Sequence, residues 1–155
     1  MKLTLHIASI FAFIFLIASC KQEETKSEDL VRTGPAISNE KTSEVLDRHF
    51  KAFLENDMEI MMSDYADDAI LILPDTTYTG KEQIKSSFIN AFKMFPKEGS
   101  SLTMDKKTIN NNIAYIIWHG KSPDWDVSFA TDTFVIEDGK IQRQTFAAVM
   151  KPVAK

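Results

Sequence analysis

The sequence predicts an α+β domain in which helices come first and a sheet follows. Two observations carry this. Between about Thr42 and Phe95 apolar residues recur at three- and four-residue spacing, the stripe of amphipathic helices, whereas after Gly99 they run in β-prone stretches separated by turn residues. A third observation bounds the size: setting aside residues 1–19 leaves 136 of the 155, and those beyond about residue 40 are enough for one core.

The chain starts with a cation, Lys2, followed by an apolar run from Leu3 to Ala18 interrupted only by Thr4, His6 and Ser9. This is a secretory signal pattern, too short for a permanent bilayer span of roughly twenty residues. Leu16-Ile17-Ala18-Ser19-Cys20 resembles the lipobox of bacterial lipoproteins, which makes Cys20 the expected lipidation site and mature N-terminus. As the single cysteine it leaves no disulfide framework and no thiol for catalysis or metal binding. Residues 20–40 are Glu-, Lys-, Ser- and Thr-rich with Gly34-Pro35, too poor in apolar side chains to offset the entropy of ordering them. They read as a lipidated tether. The expected organisation is therefore signal peptide 1–19, tether 20–40, folded domain 41–151 and tail 152–155. It places the domain in the bacterial cell envelope, touching membrane through the N-terminal lipid alone. Formal charge is −4, and −5 without Lys2, so no nucleic-acid footprint is expected.

Val45, Leu46, His49, Phe50, Phe53 and Leu54 form the stripe of a helix over about Thr42–Glu55, ended by Asn56-Asp57. Asp57 can cap a second helix carrying Met58, Met61, Met62 and Tyr65 on adjoining turns. Ala69–Leu73 is a strand stopped by Pro74, and Thr79-Gly80-Lys81-Glu82 reads as a capping box opening a third helix with Ile84, Phe88, Ala91, Phe92 and Phe95 inward. That helix stops before Pro96. Strands follow over Leu102–Ile109, Ile113–Lys121, Val127–Ile136 and Ile141–Met150, with Asn110-Asn111-Asn112 and Asp138-Gly139 as turns. Asp67-Asp68 and Asp124 with Asp126 fall in predicted loops, where acidic residues serve turns and solvation. There is no internal repeat and no Gly-rich phosphate loop.

The order helix, helix, strand, helix, long strands resembles the SnoaL-like branch of the nuclear-transport-factor-2-like (cystatin-like) superfamily. So do Asn56-Asp57, Tyr65-Ala66-Asp67-Asp68-Ala69, Gly80-Lys81-Glu82-Gln83-Ile84, Asp132-Thr133-Phe134 and Asp138-Gly139-Lys140-Ile141, taken in order over about residues 42–150. The resemblance implies three helices packed on a curved antiparallel sheet forming a cone with a pocket, and often a homodimer through the sheet. It does not imply one activity, because a fold hosts many.

Laid without gaps from Arg48 to Pro74 against delta-5-3-ketosteroid isomerase, a relative in that superfamily, His49 falls at an oxyanion-holding tyrosine and Leu73 at the catalytic aspartate. Leucine cannot move a proton, so that isomerisation route is not expected. The same resemblance puts Asp132 at the second oxyanion position. On their strand, Ala130, Asp132, Phe134 and Ile136 share one face, and Val127, Phe129, Thr131, Thr133 and Val135 the other; alternation leaves open which is inward. An inward Asp132 has its pKa raised by burial and can act as donor or general acid, with His49 exchanging protons near neutrality. Asp132 and His49 are thus the candidate catalytic pair. A strand aspartate solvated or paired with Arg143, and a half-buried structural histidine, are the plain alternatives.

Candidate ligand-binding residues are Phe53, Tyr115, Ile117, Trp118, His119 and Phe134; for Phe53 and Trp118, and for Trp125 beside them, the resemblance implies a place near the cone mouth, whereas Phe50, Phe88, Phe92 and Met61 read as core. No His-x-His or His-Glu-x-x-His spacing points to a metal, and no cofactor is expected. The expected partner is a small hydrophobic or amphipathic ligand. Two rival functions stay open: a cofactor-free cyclase or isomerase acting on a carbonyl compound, and an envelope interaction module using the outer sheet face.

Overall fold

The computed structural model describes residues 38–154; Cys20, the signal segment and most of the tether lie outside the described residues. Helix α1 spans Asn39–Glu55 and α2 Met58–Asp64, followed by β1 Tyr65–Leu73, β2 Thr76–Thr79, α3 Lys81–Met94, β3 Ser101–Asn110, β4 Ile113–Lys121, β5 Trp125–Glu137 and β6 Lys140–Pro152. The strands make one curved six-stranded sheet in the order β2-β1-β6-β5-β4-β3, and the three helices pack on its inner face. This is the expected α+β cone, with one difference. The sheet is mixed: β1 runs parallel to β6, while every other pairing is antiparallel.

Local chemistry fixes the helix ends. Ser38 caps α1 by accepting from Lys41 N at 3.2 Å, and Asp57 caps α2 by accepting from Ile60 N at 3.0 Å. The third cap departs from the predicted box: Gly80, at φ 79°, is the cap residue, and Gln83 instead accepts from Thr79 N at 2.9 Å. A φ that only glycine adopts cheaply displaces threonine from the cap position. The N-terminus of α1 is tied to the β3–β4 turn, since Thr42 donates to Asn111 O at 2.6 Å and Asn39 accepts from Asn111 N at 2.8 Å.

Asn56 closes α1 in the left-handed region, at φ 53°. Its amide donates to Phe53 O and Phe95 O, each at 3.1 Å, and its oxygen accepts from Lys97 N at 2.7 Å, so one side chain joins the ends of α1 and α3. Asn56→Ala is expected to cost about 2 kcal/mol, from lost hydrogen bonds and a disfavoured φ. A fall in urea midpoint checks this, and an unchanged midpoint contradicts it.

The inner face of the sheet answers the question that alternation left open. Ala130, Asp132, Phe134 and Ile136 are all buried against the helices. Val127 is also buried, because the β5–β6 register shifts between Val127 and Phe129 and reverses the alternation there. Two further shifts, in β3–β4 and β4–β5, bend the sheet around α1 and α3. On the acidic pairs, Asp67 and Asp68 belong to β1 and Asp126 to β5, as exposed or half-buried strand residues rather than loop residues.

Candidate functional site

Between α1, α3 and the concave face of the sheet lies a cavity of about 270 Å³. Helix α1 contributes Leu46, His49, Phe50 and Phe53, and α3 contributes Phe88, Ala91 and Met94. The sheet supplies Ile116, Trp118, Asp132, Phe134, Gln144 and Phe146. These positions follow from periodicity: i, i+3, i+4 and i+7 on α1, and alternate residues on β4, β5 and β6. The wall is apolar and largely aromatic, and no Lys, Arg or Glu lines it among the described residues. Ser87, Asn90 and Tyr78 are the more exposed polar members of the lining; Asp132, Gln144 and His49 are the buried ones.

The buried polar groups form one chain. Asp132, 5% exposed, accepts from Trp118 Nε1 at 2.8 Å on Oδ2 and from Gln144 Nε2 at 2.7 Å on Oδ1. Gln144 Oε1 in turn accepts from the Tyr65 hydroxyl, whose oxygen lies 3.5 Å from His49 Nε2. His49 Nδ1 lies 3.3 Å from Asp64 Oδ2, close enough for an ion pair but off a hydrogen-bond line, and neither atom has another partner among the described residues. Arg48 closes the chain at the surface, its Nε 2.7 Å and Nη2 2.6 Å from Asp64 Oδ1. Burial pushes the Asp132 pKa up; the bonds from Trp118 and Gln144, and the charge of His49, pull it partly back. Burial, reinforced by the charges of Asp132 and Asp64, holds Tyr65 well above the ordinary phenol value, so it remains a neutral donor.

The structure brings together Asp132, His49, Phe53, Trp118 and Phe134, which all line the cavity. It does not bring the other three candidates to it. Tyr115, Ile117 and His119 lie on the outer face of β4, because a strand that sends Ile116 and Trp118 inward must send their neighbours out. His119 is half exposed and pairs with Asp105 at 2.8 Å. Trp125 packs at the edge of the core without lining the cavity. The two nitrogens of His49 face Asp64 and Tyr65, so its ring is held edge-on against Phe88 and Phe134, with centroids 6.1 and 5.7 Å away. It reaches Asp132 through Tyr65 and Gln144. Phe88 belongs to the buried core and Phe50 packs against it, as the sequence predicts, and both also form cavity wall.

Residues 46–144 match the family model described as SnoaL-like domain. Among curated proteins none matches this sequence. Similar solved structures include a candidate ketosteroid isomerase from Kribbella flavida DSM 17836, 17% identical with a TM-score of 0.61, covering 72% of this chain and 79% of that one. A candidate polyketide cyclase from Sinorhizobium meliloti is 22% identical with a TM-score of 0.58, covering 67% and 94%. A SnoaL-like protein of unknown function from Burkholderia thailandensis e264 is 16% identical with a TM-score of 0.61, covering 74% and 99%. At these identities the likeness shows the fold, and function has to come from the site.

Proposed function

Because the chain belongs to the SnoaL-like domain family, we propose that its domain binds one compact apolar or amphipathic molecule in the hollow between α1, α3 and the sheet. The observation that carries this reading is an apolar, aromatic-rich cavity into which a cluster of buried polar groups opens where Asp132, Gln144 and Trp118 meet, the nitrogens of the nearby His49 facing Asp64 and Tyr65. Apolar walls supply the affinity and a few placed polar groups fix orientation. Leu73 also lines the hollow, and among the described residues Asp132 is the one carboxylate in its lining.

The test is a thermal-shift series on the purified chain with uncharged one- and two-ring compounds and short-chain alcohols. A dose-dependent rise is expected for the wild type and its loss in Ala91→Phe, which places an aromatic ring in the half-buried α3 wall. Stabilisation that survives Ala91→Phe unchanged sinks the cavity as the binding site.

A second reading is favoured by one observation, the raised pKa of a carboxyl inside a cavity, which is how a general acid is poised. On this reading the protein is a cofactor-free isomerase or cyclase acting on a carbonyl compound. Asp132 is its catalytic group, and His49 positions it through Tyr65 and Gln144. Asp132→Asn then lowers turnover at least a hundredfold while binding persists; turnover indifferent to that change excludes it.

The same proposal includes the setting of the domain. A lipid on Cys20 holds it in the bacterial cell envelope, and loss of detergent-phase partitioning in Cys20→Ala tests this. Two copies associate through the outer sheet face, where Phe129 and Val149 stand 41% and 63% exposed. A monomeric mass in sedimentation contradicts that pairing.

A further inference from the structure

The cavity limits the size of its occupant and its polar end limits the occupant's chemistry. An engineered apolar cavity of about 150 Å³ holds one benzene. At about 270 Å³ this hollow suits a molecule of up to two fused rings, or a chain of similar bulk.

The hydrogen-bonding capacity left over at the polar end can be counted. In its ionised form the Asp132 carboxyl offers about four lone-pair sites. Trp118 and Gln144 occupy one on each oxygen of Asp132, leaving two acceptor sites. The single indole N–H of Trp118 is spent. The Gln144 amide has two N–H groups, one given to Asp132, and two lone pairs on its oxygen, one taken by Tyr65. Both nitrogens of His49 face Asp64 and Tyr65. What remains is acceptor capacity on Asp132 and on the Gln144 oxygen beside one donor on Gln144.

A hydroxyl group, one donor and two acceptor lone pairs, matches that remainder. A ketone oxygen has no hydrogen to give and sets its lone pairs against those of Asp132. An ammonium group has donors only and leaves the Gln144 N–H unmatched. A ligand carboxylate is repelled. Building on the binding reading above, we propose that the occupant is a neutral hydroxyl compound, an alcohol or phenol on a body of one or two rings, donating to Asp132 and accepting from Gln144.

Calorimetric titration of the purified chain with indane, 1-indanone, 1-indanol and 1-aminoindane tests this, because the four share one skeleton and differ in the polar group. The expected result is 1-indanol binding at least about tenfold more tightly than indane and 1-indanone, since a buried polar site left unmatched penalises the analogue that lacks the group. In Asp132→Asn that preference shrinks to within about threefold while indane still binds. Equal or tighter binding of 1-indanone overturns the hydroxyl assignment and leaves the cavity reading standing, as does 1-aminoindane binding most tightly. If none of the four binds, indane included, both fail together.

Discussion

Replacing Arg48 by Met is expected to lower unfolding free energy by about 3 kcal/mol, the lower end of the cost of stripping one partner from a buried ion pair. Asp64 is fully buried, and both of its short contacts to a cation run from Oδ1 to the Arg48 guanidinium. Methionine keeps most of the packing of the arginine stem and removes the charge. The buried carboxylate then faces only His49 Nδ1 at 3.3 Å. The lower end applies because the Arg48 side chain is 46% exposed and water already shares its charge. Adding Asp64→Asn to the variant should restore most of the loss, since removing both charges is far less costly than orphaning one. Urea denaturation of the two variants measures this. A loss below about 1 kcal/mol in Arg48→Met would show that Asp64 is not held as described.

The second large effect is on pH. Asp132 has a folded-state pKa raised above the ordinary aspartate value of about 3.9. Between those two values the folded chain holds a proton that the unfolded chain has lost, so stability falls as pH rises through the window, and the penalty is complete above the folded pKa. The slope approaches about 1.4 kcal/mol per pH unit inside the window. Asp132→Asn has no such proton to lose, so its stability relative to wild type should improve as pH rises from about 4 and level off above the folded pKa of Asp132. Asp64 from α2 stands in both proteins, while His49 from α1 and Tyr65 from β1 interact with the Asp132 charge, so the difference reports Asp132 together with those two couplings. Paired denaturation curves from pH 4 to 8 check it. A difference that is flat, or that moves against the variant with rising pH, contradicts a penalised carboxyl in the cavity.

Legibility in the sequence followed the range of the interactions involved. Stripe and alternation are local, and they anticipate α1, α3 and the four long strands to within a few residues. The Asp57 cap is equally local. Strand β2, Thr76-Thr77-Tyr78-Thr79, has no apolar alternation; it exists because β1 offers it an edge. Tyr65 fits the stripe of α2 by spacing yet opens β1, fully buried, because its hydroxyl is claimed by Gln144, 79 positions away.

The site is legible in the sequence in the same uneven way. Trp118 in the hollow is compatible with period two, whereas Tyr115, Ile117 and His119 in it as well are not, and strict alternation excludes them. Gln144 and Asp64 gave no local signal, since a buried amide and a buried carboxylate are recognisable only from the partners that tolerate them. The turn of the His49 nitrogens away from the hollow is likewise set by Asp64 and Tyr65, outside any motif.

The most direct test of an accessible hollow ending at Asp132 is the indole N–H resonance of Trp118. This N–H donates to the Asp132 carboxylate, and the chain has only one other tryptophan, Trp125, which does not line the cavity. Titration of ¹⁵N-labelled protein with 1-indanol is expected to move the Trp118 indole signal to saturation and leave that of Trp125 in place. A Trp118 signal that stays fixed at millimolar ligand, or two signals drifting together without saturating, contradicts a ligand seated against Asp132.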